Sequence, residues 1–470
     1  MAGNKIVPSV SVVMPVFNAE SYILDVIDKV RKQTLKELEI IIVNDNSTDD
    51  TKSILERIAA EDNRVILLHN DGNGGAGEAR NMGLDHSNGE YVIFLDDDDF
   101  VNEDLVNKAY SMAKARDADV VVFRSQFYNI QKNKRMSIPW SIRSDLLPDN
   151  DVFSSTEIEK DFFNAFVWWP WDKMLKRDKI ASEGIKFQQI ITSNDVYFIC
   201  AFVLLSERIC ILDEVLIDHT VSRESSLSNT REKSYHCAID ALDALKTLMI
   251  ERGFFDARRT DFINYATLFL EWHLNTLHGA AYFTLYDEVR EYLKEVGAKY
   301  EDLYEDRAKL FFDNLYRLPP EDYLFYLSHR FQNMIDELSS VNHELSSINS
   351  ELSSSNQKLS IANHDATSTY QELSSSYQNV CVELKKKEEE EIESRSKLEA
   401  TEAHLSSLAA RLRAHEDVIL EKGQQLRTAE EQIEALTHRL RECERVNHNI
   451  TTSLPWRIMN LLRLTKRINK

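Results

Sequence analysis

The stretch Tyr91-Val92-Ile93-Phe94-Leu95-Asp96-Asp97-Asp98-Asp99 decides how this chain folds: a short apolar, strand-forming run ends in four consecutive carboxylates. Outward from it, strand and helix patterns alternate. Val10 to Val16 reads as a strand, Tyr22 to Gln33 as a helix and Glu39 to Asn44 as a strand. Thr51 to Ala60 then reads as a helix, Val65 to His69 as a strand and Gly77 to His86 as a helix. This alternation predicts an α/β fold whose mostly parallel sheet is covered on both faces. Such sheets bind ligands at the carboxyl ends of their strands, where Asp45 and the Asp96 to Asp99 cluster both fall.

Four adjacent carboxylates repel one another, and their mutual charge is best relieved by a bound cation. Oxygen-only ligands favour Mg²⁺ or Mn²⁺, which keep open positions for water and substrate phosphates. From these residues alone, a solvated acidic turn capping the next helix is the alternative.

Over 470 residues, 56 Lys and Arg stand against 78 Asp and Glu, a formal net charge of −22. That acidity excludes a general nucleic-acid binder, which needs a basic face to neutralise phosphates. The five cysteines, Cys200, Cys210, Cys237, Cys381 and Cys443, are odd in number and lack CxxC spacing, so reduced cytosol is the simpler setting. Met1 to Pro8 has no apolar signal-like run, and no stretch approaches the ~18 apolar residues of a membrane span.

Composition shifts near Arg330, where aromatic-rich sequence gives way to Ser, Glu, Leu, Gln and Asn. Four segments are expected: a catalytic domain over 1–230, a helical subdomain over 231–330, a coiled coil over 331–448 and a basic tail over 449–470. Leu242, Leu245, Leu248 and Met249 show the helical spacing of the second. In the third, Leu338, Leu345, Leu352 and Leu359 repeat every seven residues, with Val341, Ile348, Ser355 and Ala362 three positions on. A second heptad series runs from Leu398 to Leu440, and a weak stretch with a stutter joins the two. Sustained heptads predict a coiled coil that makes a homo-oligomer; at 1.5 Å per residue, ~115 helical residues would reach roughly 170 Å.

Val12-Val13-Met14-Pro15-Val16-Phe17-Asn18 and Ile42-Val43-Asn44-Asp45-Asn46-Ser47-Thr48-Asp49 resemble the opening strands of family 2 glycosyltransferases with a GT-A fold. Gly77-Glu78-Ala79-Arg80-Asn81-Met82-Gly83-Leu84 and the run from Asn88 to Asp99 resemble that family's ARNxG helix and DxD strand. The likeness continues through Trp171 to Arg177, Gly184 to Phe187, Asn194 to Phe198 and Arg223 to Ser228, and so covers about residues 8 to 230.

The resemblance implies a Rossmann-like GT-A domain and an inverting, metal-dependent transfer of sugar from a nucleoside diphosphate. Pro15, Phe17 and Asp45 match positions that hold the base and ribose, and a carboxylate at Asp45 can accept the imide N–H of uracil, which favours UDP or dTDP. Arg80 would support Asp45 or the diphosphate; an exposed helix residue is its alternative. Asp96 and Asp98 match the outer residues of DxD, Asp98 as the direct metal ligand and Asp96 nearer the ribose. Asp195 matches the catalytic base, with a helix N-terminal carboxylate as the alternative. Asn194 stands where the family usually has Glu, which bears on local charge and acceptor preference. Arg223, Ser226 and Ser228 fall where the family closes over the diphosphate, although Thr220-Val221 replaces the usual Tyr-Arg. His219 is a candidate further metal ligand or a structural residue. Trp168, Trp169, Trp171 and Asp172 form either the acceptor floor or core.

After Glu444 no acid remains, and residues 454–470 pair basic groups and Trp456 with a helical apolar pattern. An interfacial helix on an anionic leaflet has this form, and the segment resembles the SWR-containing ending of bacterial glycosyltransferases of surface-polysaccharide synthesis. A basic helix packed on the acidic body or on a partner is the alternative. The expectation is thus a peripheral enzyme on the cytoplasmic face of the plasma membrane, with a glycan or lipid-linked acceptor. The competing expectation is a coiled-coil scaffold with a degenerate, inactive transferase domain, against which Asp45, Asp98 and Asp195 argue. Nucleotidyl transfer lacks its Gly-rich phosphate loop, since Gly72 to Gly77 follows the wrong strand.

Overall fold

Strands β1 (Val10–Val16) and β2 (Leu38–Asn44) are buried along their whole length, as strands covered by helices on both faces must be. The computed structural model describes residues 8–72, 74–221, 231–389 and 405–413, with His438 and Arg441. Between and after β1 and β2 come α1 (Ile23–Arg31), α2 (Thr51–Glu61), β3 (Val65–His69), α3 (Gly75–His86) and β4 (Tyr91–Phe94). Each lies within two residues of its expected bounds, because continuous β-branched runs and helical apolar spacing do not overlap here.

Strands β3, β2, β1 and β4 lie side by side and parallel. Beyond β4 the chain adds β5 (Phe100–Val101), α4 (Leu105–Arg116), β6 (Val120–Asn129), β7 (Lys134–Ser137), β8 (Lys173–Lys176), α5 (Arg177–Glu183), α6 (Asn194–Leu204) and β9 (Ile209–Val221). By strand direction the sheet stays mostly parallel, β6 and β9 running with β1 to β4, and β5, β7 and β8 run against it. β8 is antiparallel to both β4 and β6, β9 runs parallel to β6, and β5 and β7 pair antiparallel to β9 and β6. Residues 138–172 lead into β8 through short 3-10 turns and loop, without the helical crossover that a parallel return uses.

The turn before β4 is pressed onto β1. Gly89 donates its N–H to Ser11 Oγ at 2.8 Å, and Ser11 Oγ donates in turn to Glu39 Oε1 at 2.6 Å. A Cβ at residue 89 would lie 2.5 Å from Ser11 N and 2.7 Å from Val10 C, both backbone atoms. Gly89→Ala is therefore expected to cost about 1–3 kcal/mol of stability, read as a lower denaturation midpoint in guanidinium; an unchanged midpoint would show that the turn relaxes freely.

Helices α7 (Cys237–Glu251), α8 (Phe255–Leu274), α9 (Gly279–Glu295) and α10 (Asp306–Arg317) belong to the same compact unit as the sheet, which ends at Leu324. α6 packs on α7, and α7 on α8. Buried Arg258 binds the carbonyls of Ser155 and Ile158 at 2.7 and 2.6 Å and Asp261 at 2.9 Å, tying α8 to the loop after β7.

Helix α11 (Pro320–Glu389) is 70 residues long and opens on Pro320, where a missing N–H costs nothing. From Phe325 onward the chain is a separate unit. Within it, Leu338, Leu345, Leu352 and Leu359 are half-buried and Ile348 is buried, whereas Ile361, Tyr370 and Tyr377, off the heptad positions, are exposed. The helix continues through the weak stretch from Ala366 to Ser376. Of the second heptad series only 405–413 and His438 are described, as helix, and the 454–470 tail lies outside the described residues. Among the described residues no helix is long and apolar enough to cross a membrane.

Candidate active site

β4 stops short of the carboxyl end of β1: their pairing ends at Val13–Phe94, while β1 stays paired with β2 to Val16–Asn44. Val13 O accepts from Leu95 on the β4 side and Val16 O from Asp45 on the β2 side, at 3.0 and 2.9 Å. By strand alternation Pro15 faces the β4 side, past the end of that strand, so its missing N–H breaks no ladder. A notch results, bordered by Phe17, Asp45 and the Asp96 to Asp99 loop.

Two loops close its rim. Phe17, 45% exposed, donates its N–H to Asp97 Oδ2 at 3.2 Å. Asn18 binds Thr48 N and Ser47 Oγ at 2.8 and 3.0 Å. Asn18 and Asn46 have φ of 48° and 56°, a left-handed conformation that Asn tolerates better than most residues. Both sit where the chain leaves a buried strand.

Asp45 is 4% exposed, and its two oxygens accept from Asn70 Nδ2 at 2.7 Å and Gly75 N at 3.0 Å. Gly75 reaches it with φ +80°, at the first turn of α3. Burial pushes the Asp45 carboxyl up, these hydrogen bonds pull it down, and neighbouring Glu78 adds to the rise, for a net upward shift. Each carboxylate oxygen keeps a further lone pair.

Arg80 was expected beside Asp45 or the diphosphate. It does not contact Asp45: Nη2 binds Asp96 Oδ1 at 2.6 Å and Nη1 binds Asn194 Oδ1 at 2.9 Å. The exposed-helix alternative does not hold, because the Arg80 side chain is 7% exposed. Its guanidinium lies 5.5 Å from the Phe187 ring centroid, and its Nε is buried with no protein acceptor. One side chain thus joins α3, the end of β4 and the start of α6. Asn194, noted in the sequence only as a departure, is the α6 anchor of this bridge.

Asp195 follows Asn194 in the first turn of α6, after Ser193 with φ 59°. Burial is the largest influence on its carboxyl and raises it; Arg80 opposes and Asp96 adds to the rise, for a net upward shift. A carboxylate raised toward neutral pH is suited to take a proton.

Asp99 is buried, accepts from Thr220 N at 2.9 Å and lies 2.9 Å from His219 Nδ1. Burial alone would lower His219, but the Asp99 charge and hydrogen bond raise it to about 9. His219 is thereby a charged partner of Asp99, the structural alternative to a metal ligand. Trp168 and Trp171 are buried, and Asp172 is fully buried against Lys173 at 2.5 Å. These three belong to the core; Trp169 alone of the set is only half-buried. Arg223, Ser226 and Ser228 lie outside the described residues.

For a divalent ion, no three His, Cys, Asp or Glu side chains converge among the described residues. The donors at the end of β4 are nonetheless all carboxylate oxygens, and Mg²⁺ characteristically takes one or two of these together with substrate phosphates. The set fits an ion shared with a diphosphate, not one caged by protein alone.

Residues 11–180 match the model of the Glycosyl transferase family 2. This segment is similar to family 2 glycosyltransferase domains. The glycosyltransferase GlyG of Streptococcus pneumoniae is 38% identical over 124 residues, 26% of this chain and 40% of that protein. The Campylobacter jejuni GalNAc(5)-diNAcBac-PP-undecaprenol beta-1,3-glucosyltransferase is 34% identical over 166 residues, 34% of this chain and 52% of that protein. The chain therefore spans about half the length of these curated relatives or less. The crystal structure of Staphylococcus aureus TarS 1-349 in complex with UDP-GlcNAc superposes with a TM-score of 0.52 at 18% identity, covering 67% of this chain and 91% of that one, a likeness of fold.

Proposed function

We propose that the chain is an inverting glycosyltransferase that moves a sugar from a nucleoside diphosphate, UDP or dTDP, to a glycan or lipid-linked acceptor in cell-surface glycan synthesis. The observation that carries this reading is the Arg80 bridge, which holds Asp96 and Asn194 and so sets the β4 carboxylates beside Asp195. Pro15, Phe17 and Asp45 border the notch for the base and ribose. The relatives' printed names, with a polyprenyl diphosphate acceptor in one and a UDP-GlcNAc complex in another, support the choice of donor and acceptor class.

Asp195 takes the proton of the acceptor hydroxyl as that oxygen bonds to the anomeric carbon and the bond to the diphosphate breaks. The leaving group needs its charge neutralised, not a proton. Mn²⁺ or Mg²⁺ held by Asp98 and Asp96 would supply that neutralisation. Arg223 and Ser226 are proposed to close over the diphosphate. A panel of UDP- and dTDP-sugars, followed by nucleotide release with and without EDTA, tests the reading. Release from at least one donor, lost on chelation and restored by Mn²⁺, is expected; no release from any donor would overturn it.

The heptad spacing of α11 supports a coiled coil that oligomerises the enzyme, and the 454–470 tail is proposed to bind the anionic cytoplasmic face of the plasma membrane. A chain ending at Arg330 is expected to scatter light as a smaller oligomer and to stop pelleting with phosphatidylglycerol vesicles. An unchanged oligomer would place assembly in residues 1–330, and unchanged pelleting would remove the membrane role of the tail.

A further inference from the structure

Three aromatic rings from separate segments meet beside the acidic loop. Phe127 comes from β6, Trp140 from the turn after β7 and Trp169 from the loop before β8. Their centroids form a near-equilateral triangle: Phe127 to Trp140 6.0 Å, Phe127 to Trp169 6.0 Å and Trp140 to Trp169 5.9 Å, with planes inclined by 55° to 66°. Trp169 stacks on Trp171 at 4.4 Å, Trp171 on His219 at 4.6 Å, and His219 pairs with Asp99. The triangle is thus connected ring by ring to the carboxylate loop.

The rings are held open. Trp140 is 37% exposed, and Phe127 and Trp169 are half-buried. Their backbones are fixed: Lys173 Nζ, fully buried, donates to the carbonyls of Val167 at 2.7 Å and Trp169 at 3.0 Å, while Arg124 Nη1 donates to Pro139 O at 3.2 Å. Burial of a lysine is costly unless it is paired, and here Lys173, at the start of β8, sets the Trp169 turn. Trp168 spends its indole N–H on Phe163 O at 2.6 Å. Among the described residues no acceptor takes that of Trp140 or Trp169.

The geometry points to a saccharide-binding shelf: Trp140, the most exposed of the three rings, stacks on the C–H face of a neutral pyranose of the acceptor, Phe127 and Trp169 flank it at an incline, and Lys173 is a positioning residue. This rests on the glycosyltransferase reading and adds the acceptor's chemistry to it. The faces of a pyranose are apolar C–H surfaces edged by hydroxyls, which suits ring faces edged by indole N–H donors. The charged side chains around the shelf are paired, His219 with Asp99, Lys173 with Asp172 and Arg124 with Asp213, so none of them calls for a charged sugar.

The test uses the full chain on an array of neutral β-linked glucose, galactose and N-acetylglucosamine oligosaccharides, with and without excess UDP. Binding of at least one series is expected, weakened about tenfold or more by Trp140→Ala, largely kept by Trp140→Phe, and not displaced by UDP. Should Trp140→Ala fail to fold by circular dichroism, Trp140→Leu replaces it, since it keeps apolar volume and loses the stacking face. No binding by the unaltered chain, an affinity indifferent to loss of the ring, or displacement by UDP would each overturn the shelf. Donor hydrolysis by the same unaltered preparation separates the two readings. Hydrolysis without saccharide binding removes the shelf alone, and no hydrolysis of any donor removes the transferase reading together with the shelf's acceptor role.

Discussion

Asp195→Asn is expected to lower sugar transfer by ~10²–10⁴-fold, the contribution of a general base, while leaving the fold at least as stable near neutral pH. The stability half of this follows from the direction of the Asp195 shift. Its folded-state carboxyl is raised above the ordinary value, chiefly by burial, so the native chain holds the proton more tightly than the unfolded one. Between those two values stability falls as pH rises, and above both the ionised carboxylate is a standing cost to folding. Asn, nearly the same shape and always neutral, does not carry it. Thermal melts of the two chains should therefore converge below the unfolded carboxylate range and separate at pH 7, with the Asn chain melting no lower. A purely structural acid capping α6 would give the opposite: a lower melting temperature with transfer retained. The unaltered enzyme should lose kcat/KM on its acid limb at a pH above the ordinary Asp value.

The elements that carry this site were unequally legible. β1 and β3 have the residue bounds expected from their apolar runs, and Pro15 falls at the one place in β1 where a missing N–H costs nothing. The four aspartates were visible as a group, but their separate fates were not. Asp96 meets Arg80, Asp97 accepts from Phe17, and Asp99 is buried with His219. Those partners lie 16, 80 and 120 residues away, beyond the reach of any local pattern. The second half of the sheet, from β6 on, is hard to read in the sequence for a related reason. β9 carries Asp213 and Glu214 mid-strand, where its register with β6 shifts between Phe123 and Ser125, and a bulge breaks the alternation that betrays a strand. Lys173 is fully buried in a segment whose neighbouring tryptophans suggested a binding floor; only the three-dimensional pairing with Asp172 and two carbonyls explains it. Asn194 stands out in the sequence as a departure from Glu, but nothing local ties it to Arg80, 114 residues away.

Arg80→Met is expected to be the more informative loss, because it touches stability, geometry and protonation together. Met keeps most of the apolar stem in a buried space but leaves Asp96 without its 2.6 Å partner and Asn194 without its 2.9 Å one. Stranding such groups costs about 1–3 kcal/mol; Asp96, 27% exposed, regains some hydration and holds the figure there. The tie between α3, β4 and α6 is lost as well, and displacing a base by about 1 Å can cost ~10²-fold in rate. The decisive readout is the pH profile. The Arg80 charge pulls the Asp195 carboxyl down against burial and against Asp96, so removing it should move the acid limb of kcat/KM to higher pH. Arg80→Lys keeps the charge but cannot reach both Asp96 and Asn194 with a planar fork; it should lower kcat while the limb stays near that of the unaltered enzyme. If Met and Lys gave the same limb, Arg80 would act on position alone, and the electrostatic link from the β4 carboxylates to Asp195 would be refuted.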